Sequence, residues 1–283
     1  MNSFDHYISY NTRMGFYSSL DKRKVIYIGE LIYKFFNEKK QHFNSLNEIK
    51  NINANDAYMV QNYFLSKIEK KFKSDITGWK LGLTSDKFQK KFNTHSPCIG
   101  RICNNFIFNS PKKLKLSHLK RVGVENEVAI TLSKDIPYNN KNYTPKNILK
   151  FIKSFHSAIE IIDDKGINSE EIDIGILISM NIFNRYVILG EQKKIKELND
   201  IKNNTTKLSL NNKIIAEGNT NNAMGDPINS LVWLANNVNL TGNFLKKNDV
   251  IITGTTLEPK WIKSNGKIKS EIKNIGTCLL EIE

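Results

Sequence analysis

The chain has 283 residues, 40% hydrophobic and 25% charged, with a formal net charge of +14 at pH 7. That composition is ordinary for a globular protein, and the length allows one large core or a body with a smaller appendage. Three classes are excluded or disfavoured at once: a helical membrane protein, a disulfide scaffold and a recognisable nucleic-acid binder. No run approaches the roughly 18 to 20 continuous apolar residues of a membrane helix. The first residues lack the basic and apolar regions of a secretory signal. Cys98, Cys103 and Cys278 form neither a CxxC pair nor an even-numbered framework, so a reducing, cytoplasmic setting with no membrane partner is expected. The lysines are scattered among many Asn and Ile residues, without RNP-like aromatics or a helix-turn-helix pattern. The excess charge reads as compositional drift that incidentally attracts acidic substrates, and no nucleic-acid partner is expected.

In chain order, residues 1–20 are polar and aromatic, an extension with no assigned role. Residues 21–75 read as a helical N-terminal segment. Ile26, Ile28, Leu31, Ile32, Phe35 and Phe36 make one amphipathic stripe. Asn55-Asp56 is expected to cap a second helix that buries Ala57, Val60, Phe64, Leu65 and Ile68. A body follows over residues 76–283. From Ile76 to Ser85 the alternation of a strand puts Trp79, Leu81 and Leu83 on one face and Lys80 on the other, between Gly78 and Gly82. Glycine within a strand often marks the close approach of a ligand or another backbone, which makes Lys80 a candidate site lysine. A short helix is expected over about Asp86 to Phe92 and a turn over Ser96 to Arg101. Cys98 in that turn reads as a small packed side chain, since no motif ties a His to it, and His95 reads as a surface loop residue.

From Arg121 to Leu132 a strand places Val122, Val124, Asn126, Val128, Ile130 and Leu132 on one face and Gly123, Glu125, Glu127, Ala129 and Thr131 on the other. Two carboxylates at i and i+2 stand about 7 Å apart on such a strand. A solvated acidic face is the plain reading of that pair alone. Beyond it, Pro145 to Phe155 is expected to be a helix leading into a strand, Ser157 to Asp164, in which Glu160 lies inside an apolar run. A buried carboxylate needs a positive partner, and three of them suit an all-oxygen Mg²⁺ or Mn²⁺ site; the lack of a His or Cys cluster argues against zinc. The C-terminal hundred or so residues read as strands at Thr206 to Leu210, Lys213 to Glu217, Val250 to Thr253 and Cys278 to Ile282. Asn211-Asn212 forms a hairpin turn between the first two, and a helix runs from Pro227 to Val238. No GxGxxG or P-loop occurs.

Several segments, taken in order, resemble those of the 2-keto-4-pentenoate hydratase / 4-oxalocrotonate decarboxylase family within the fumarylacetoacetate hydrolase superfamily. They are Asp56-Ala-Tyr-Met-Val-Gln61, Gly78-Trp-Lys-Leu-Gly-Leu-Thr-Ser85, Glu125-Asn-Glu127, Ala158-Ile-Glu-Ile-Ile-Asp163, Gly225-Asp-Pro227, Trp233-Leu-Ala-Asn236 and Asp249-Val-Ile-Ile-Thr-Gly254. Each is a short motif; the ordered series spans about residues 20 to 283. The resemblance implies an α+β fold, a mixed rolled β-sheet body preceded by a helical N-terminal segment. It implies a lyase in which Glu125, Glu127 and Glu160 hold Mg²⁺ or Mn²⁺ and Lys80 transfers a proton. The substrate would be a small 2-oxo or 2-hydroxy-dienoic acid that chelates the metal through its carboxylate and C2 oxygen. The implied substrate contacts are Thr84, Ser85, Asp163, Lys165, Asn181, Thr255 and Thr256, with Asp163 alternatively orienting a ligand or Lys80. A role in aromatic catabolism and a homo-oligomer are expected by analogy.

Departures from the family pattern accompany the resemblance. Cys98 stands where family hydratases often place an aspartate, Lys165 where the family frequently has arginine, and Met180 where it has aspartate. Small residues of the family are replaced by Ile182, Phe183 and Arg185. The expected activity is a hydratase, with a 4-oxalocrotonate-type decarboxylase as the alternative, or a relative that binds metal and keto acid without turnover.

Overall fold

The structure, a computed structural model, describes residues 19–37, 46–137, 142–197 and 200–283. The extension expected at residues 1–20 therefore falls, up to residue 18, outside the described residues. Two helices lead, α1 (Lys22–Asn37) and α2 (Ala54–Phe72), packed on each other. All five apolar residues expected to be buried on α2 are buried. On α1 the stripe is rotated: Val25 and Gly29 are buried with Ile28, Ile32 and Phe35, whereas Ile26, Leu31 and Phe36 are half-buried. The cap of α2 is Asn53, whose side chain accepts the Asp56 N–H at 3.0 Å, and not the expected Asn55-Asp56. Three more helices are short, α3 (Asp86–Lys91), α4 (Pro145–Ile148) and α5 (Ile174–Ser179); α6 spans Pro227–Asn237.

The strands, in chain order, are β1 (Ile76–Gly82), β2 (Cys98–Cys103), β3 (Ile107–Asn109), β4 (Lys112–Leu114), β5 (Val122–Leu132), β6 (Ile152–Ile162) and β7 (Asn184–Leu189). The remainder are β8 (Lys193–Lys194), β9 (Thr205–Leu210), β10 (Lys213–Asn219), β11 (Val250–Thr255), β12 (Lys260–Ile262), β13 (Gly266–Ile272) and β14 (Gly276–Ile282). Nine form a mixed sheet ordered β2-β1-β11-β5-β6-β7-β3, with β12 beside β5 and β8 beside β6; five form a second sheet ordered β10-β9-β13-β14-β4. The large sheet is rolled. Gly78 on β1 lies against the side chain of Ile107 on β3, the far end of the strand order.

Rolling gives the large sheet an outside and an inside. Part of the outside carries Trp79, Leu81, Val128, Ile130, Leu132 and Ile251 against the helices, and another part carries Val124, Ile159, Ile161 and Ile188 against the second sheet. The inside receives the alternate residues. Ile102, Ala129, Ala158, Val187, Val250 and Ile252 fill one region of it with an apolar cluster, and Lys80, Glu125, Glu127 and Glu160 share that face.

Two further expectations change, and one strand is new. Pro145 to Phe155 is helical only through Ile148, followed by a single 3₁₀ turn, because β6 already begins at Ile152 and pairs Phe155 with Ile130. Of the expected turn at Ser96 to Arg101, the residues from Cys98 onward are instead the start of β2, fully buried and paired with β1. Strand β13 was not foreseen, though its pattern is plain once read: Ile268, Ser270 and Ile272 are buried while Lys267, Lys269 and Glu271 face out.

The outer edge of β2 has no neighbouring strand among the described residues. Side chains serve it: the Tyr58 hydroxyl accepts the Ile99 N–H at 2.9 Å, Gln61 Nε2 donates to the Ile99 carbonyl at 2.9 Å, and Asn181 bonds both the N–H and the carbonyl of Arg101 at 2.8 Å.

Candidate active site

Pairing register assembles the site. β5 and β6 run antiparallel with Glu125 directly opposite Glu160 and Glu127 opposite Ala158, so the three acids share the inner face. Lys80 arrives from β1, two strands away from β5 across β11. It can pass because its β2 neighbour is Gly100, where a Cβ would come within 2.6 Å of Lys80 Cγ. The ammonium then reaches Glu160 Oε1 at 2.6 Å and the Ile182 carbonyl at 3.1 Å. Lys80 is 2% exposed and Glu160 0%.

Two of the acids have further partners. Asn184, the first residue of β7, donates to Glu160 Oε1 at 2.7 Å. Gly254 donates its N–H to Glu127 Oε2 at 2.8 Å, with φ of +108° and the Thr84 side chain where a Cβ would stand; only glycine serves there. Glu160 Oε2 is buried without a hydrogen-bond partner. One oxygen from each of Glu125, Glu127 and Glu160 lies within 4.8 Å of the others.

Charge does not balance here: three carboxyls face one ammonium. Burial alone would lower the Lys80 pKa, but the charges of Glu160, Glu125 and Glu127 outweigh it and raise it, so the lysine is held protonated. Burial and the Glu160 charge push Glu125 up to about 8, with Lys80 opposing. Glu127 is pushed well above the usual carboxylate range by burial, then by Glu160 and Glu125. A cluster that resists full ionisation, with a buried carboxylate oxygen left unpartnered and only oxygen donors around it, fits a hard divalent cation.

The other residues expected at the site divide into two groups. Thr84 is buried against Gly254, next to the Glu127 hydrogen bond, and Thr255, half-buried and opposite Glu127 in the ladder, donates to the Leu257 carbonyl at 2.6 Å. Five occupy other places. Ser85 caps α3. Asp163 accepts N–H groups of Lys120, Arg121 and Lys165 and pairs with the Lys165 ammonium at 3.3 Å, fixing the turn that follows β6. Lys165, its pKa lowered by burial, lies with Arg185 beside Phe35 and Phe36 of α1 rather than with the glutamates. Asn181 is tied to Arg101 as above. Thr256 is fully buried and turned away, its hydroxyl on the Asn126 carbonyl at 2.9 Å and on Thr206 at 3.1 Å. Cys98 is buried between Gly82 and Lys80, and burial pushes its thiol up to about 12; it stays protonated. Asn184 and the Ile182 carbonyl were not foreseen as site groups, whereas Gly254 lies in the Thr253 to Thr256 turn, whose resemblance implied that its backbone N–H groups bind the substrate carboxylate; here the Gly254 N–H binds Glu127. The segment containing Asn184 was marked only by its departures from the family pattern, at Met180, Ile182, Phe183 and Arg185, whereas Gly254 closed one of the matched segments.

The sequence profile of the fumarylacetoacetate (FAA) hydrolase C-terminal family matches residues 107–283. The chain belongs to this family. Among FAA hydrolase relatives, the chain is 23% identical to a 2-keto-4-pentenoate hydratase of Paraburkholderia phymatum over 71% of its length and 76% of that protein's. It is 24% identical to a 2-hydroxyhexa-2,4-dienoate hydratase of Comamonas testosteroni over 80% and 85%. A 4-oxalocrotonate decarboxylase from Pseudomonas putida G7, solved with magnesium and adipate, superposes with a TM-score of 0.85 over 94% of this chain and all of that one, at 18% identity. That likeness shows the FAA hydrolase type of fold, helices and rolled sheet included. Lys80 and Thr84 precede the matched FAA hydrolase segment, so the N-terminal third contributes to the site. No helix of the described residues is long and apolar enough to cross a membrane.

Proposed function

We propose that the protein is a divalent-metal-dependent lyase acting as a hydratase on a small 2-hydroxy-dienoic acid of the 2-keto-4-pentenoate type. Glu125, Glu127 and Glu160 would hold the metal, and Lys80 would be the proton-transfer residue. The observation that carries this reading is the excess of carboxylate over ammonium at a site where Glu127 and Glu160 are buried and Glu125 half-buried, with Glu160 Oε2 unpartnered. Mg²⁺ or Mn²⁺ would supply Lewis-acid stabilisation of negative charge at the substrate's C2 oxygen, the carboxylate serving as the second chelating group.

The chain's own residues do the rest. An ammonium has three N–H donors; two of those of Lys80 are engaged by Glu160 and Ile182, which leaves one to meet the substrate and hand a proton to the dienol carbon chain, while the C2 hydroxyl gives up its own proton and returns the lysine to its ammonium form. Burial excludes water from that transfer and strengthens the charge interactions around it. The Gly254 N–H and Asn184 fix the orientation of Glu127 and Glu160. Water addition to the conjugated system then completes the hydratase reaction.

Decarboxylation of a 4-oxalocrotonate-type acid is the second reading, favoured by Cys98. A thiol held protonated beside Lys80 offers no base for activating water, and loss of CO₂ requires none. The deciding assay follows the ultraviolet absorbance of 2-hydroxypenta-2,4-dienoate with and without Mg²⁺ or Mn²⁺, for the wild type and Glu127→Gln. Metal-dependent consumption abolished by the substitution is expected. Lack of consumption refutes the hydratase; release of CO₂ from 4-oxalocrotonate would then establish the decarboxylase, and inertness toward both would leave a binding relative.

A further inference from the structure

Three successive residues that are not glycine, Asn181, Ile182 and Phe183, have φ of +53°, +43° and +60°. Left-handed backbone is disfavoured for any L-residue and most for a β-branched one such as isoleucine. Such a run persists only where its surroundings over-determine it, and strain of this kind concentrates at functional sites. Two features over-determine this one. Both ends of the Asn181 amide are bound, Oδ1 accepting the Arg101 N–H and Nδ2 donating to the Arg101 carbonyl, each at 2.8 Å. The Phe183 carbonyl accepts the Asp163 N–H at 3.0 Å. Between those anchors the Ile182 carbonyl turns inward and accepts from Lys80 Nζ at 3.1 Å.

The clamp sits directly behind the lysine. Arg101 follows Gly100, the residue paired with Lys80 across β1 and β2, and a Cβ on Gly100 would meet both Lys80 Cγ and Asn181 Oδ1. We propose that Asn181 is a positioning residue: it locks a left-handed turn onto β2 so that the Ile182 carbonyl holds the Lys80 ammonium on Glu160. A right-handed path through residues 181–183 would redirect that carbonyl and leave Glu160 as the anchor. Asn181 thus serves the reaction without touching substrate, and the kinetic part of this inference rests on the function proposed above.

The test uses a neighbour as its control. Gln61 ties the same segment to β2 one turn earlier, donating to the Ile178 and Ile99 carbonyls at 2.8 and 2.9 Å, but it does not orient Ile182. Asn181→Ala, the size-conserving Asn181→Asp and Gln61→Met are compared with the wild type by thermal melting, Mn²⁺ titration, kinetics and ¹⁵N–¹H NMR of lysine ammonium groups. The Lys80 signal, assigned by its disappearance in Lys80→Met, is expected to resist exchange in the wild type and Gln61→Met and to broaden in both Asn181 variants. Turnover by the Asn181 variants is expected to fall about 100-fold, with KM and Mn²⁺ affinity within about threefold, while Gln61→Met keeps kcat despite a lowered Tm. An unchanged Lys80 signal in the Asn181 variants overturns the proposal, as does an equal kcat loss in Gln61→Met. If the wild type consumes none of the substrates tested, the proposed function fails, and the ammonium signal alone decides the positioning role.

Discussion

Lys80→Met isolates the role of the ammonium among the carboxylates, since it keeps a long side chain and deletes only the charged end. At 2.6 Å the Lys80–Glu160 attraction is roughly 6 kcal/mol gross at an effective dielectric constant of about 20, but the protein need not forfeit all of it. One buried carboxyl can take up a proton instead, at about 1.4 kcal/mol for each pH unit above its ordinary pKa near 4.3. That route limits the loss to roughly 3.5 kcal/mol near pH 7 and roughly 1 kcal/mol near pH 5. For a chain of 283 residues the corresponding drop in Tm is roughly 6 °C and roughly 2 °C. Scanning calorimetry of metal-free wild type and variant at the two pH values reads it directly. Saturating Mn²⁺ should narrow the gap, because a second cation then faces the same acids. A shift equal at both pH values, or a gap that Mn²⁺ leaves untouched, would refute the reasoning that charge excess governs this site.

Two further predictions bear on the surrounding structure. Gly254→Ala forces a Cβ into the Thr84 side chain at a φ of +108° and disturbs the Glu127 hydrogen bond; a loss of about 2–4 kcal/mol in denaturant unfolding and roughly tenfold weaker Mn²⁺ binding are expected, and wild-type behaviour in both would sink the account. His156 is buried, its Nδ1–H donating to the Gly190 carbonyl at 2.9 Å and its Nε2 accepting from Thr131 at 3.0 Å or Ser154 at 3.2 Å. Burial lowers its pKa, so below its ordinary value of about 6.5 the unfolded chain binds a proton that the folded one resists, and stability falls with falling pH. The slope from this residue is at most about 1.4 kcal/mol per pH unit. Urea unfolding from about pH 7.5 to 5.5 should show a shallower decline in His156→Gln; identical slopes would exclude the histidine as the cause.

What the sequence revealed of this site followed strand periodicity. Alternation alone separates Lys80 from Trp79 and Leu81, and Glu125 and Glu127 from Val124 and Val128, because period two leaves a side chain no choice of face. The α2 core was legible for the same reason at a period of 3.6. Register was not. That Glu160 stands opposite Glu125, or that Gly100 opens a path for Lys80, depends on pairings between strands far apart in the chain, which no local pattern encodes. Nor did residue type reveal direction: Asn181 and Thr256 carry suitable polar groups, but backbone partners from β2 and the Asn126 carbonyl claim them. Fold class was read from ordered motifs, whereas β13 escaped notice because its lysines masked a regular alternation.

The side-chain dressing of β2 has a consequence for the behaviour of fragments. A bare strand edge is a template on which another chain can add itself, and here Tyr58, Gln61 and Asn181 occupy it with groups that cannot propagate a ladder. Two of the three belong to α2. Proteolysis that detached the leading helices would uncover the Ile99 backbone groups and turn a closed enzyme core into a seed for cross-chain strand addition, so the shortened protein is expected to self-associate where the intact chain does not template itself at this edge.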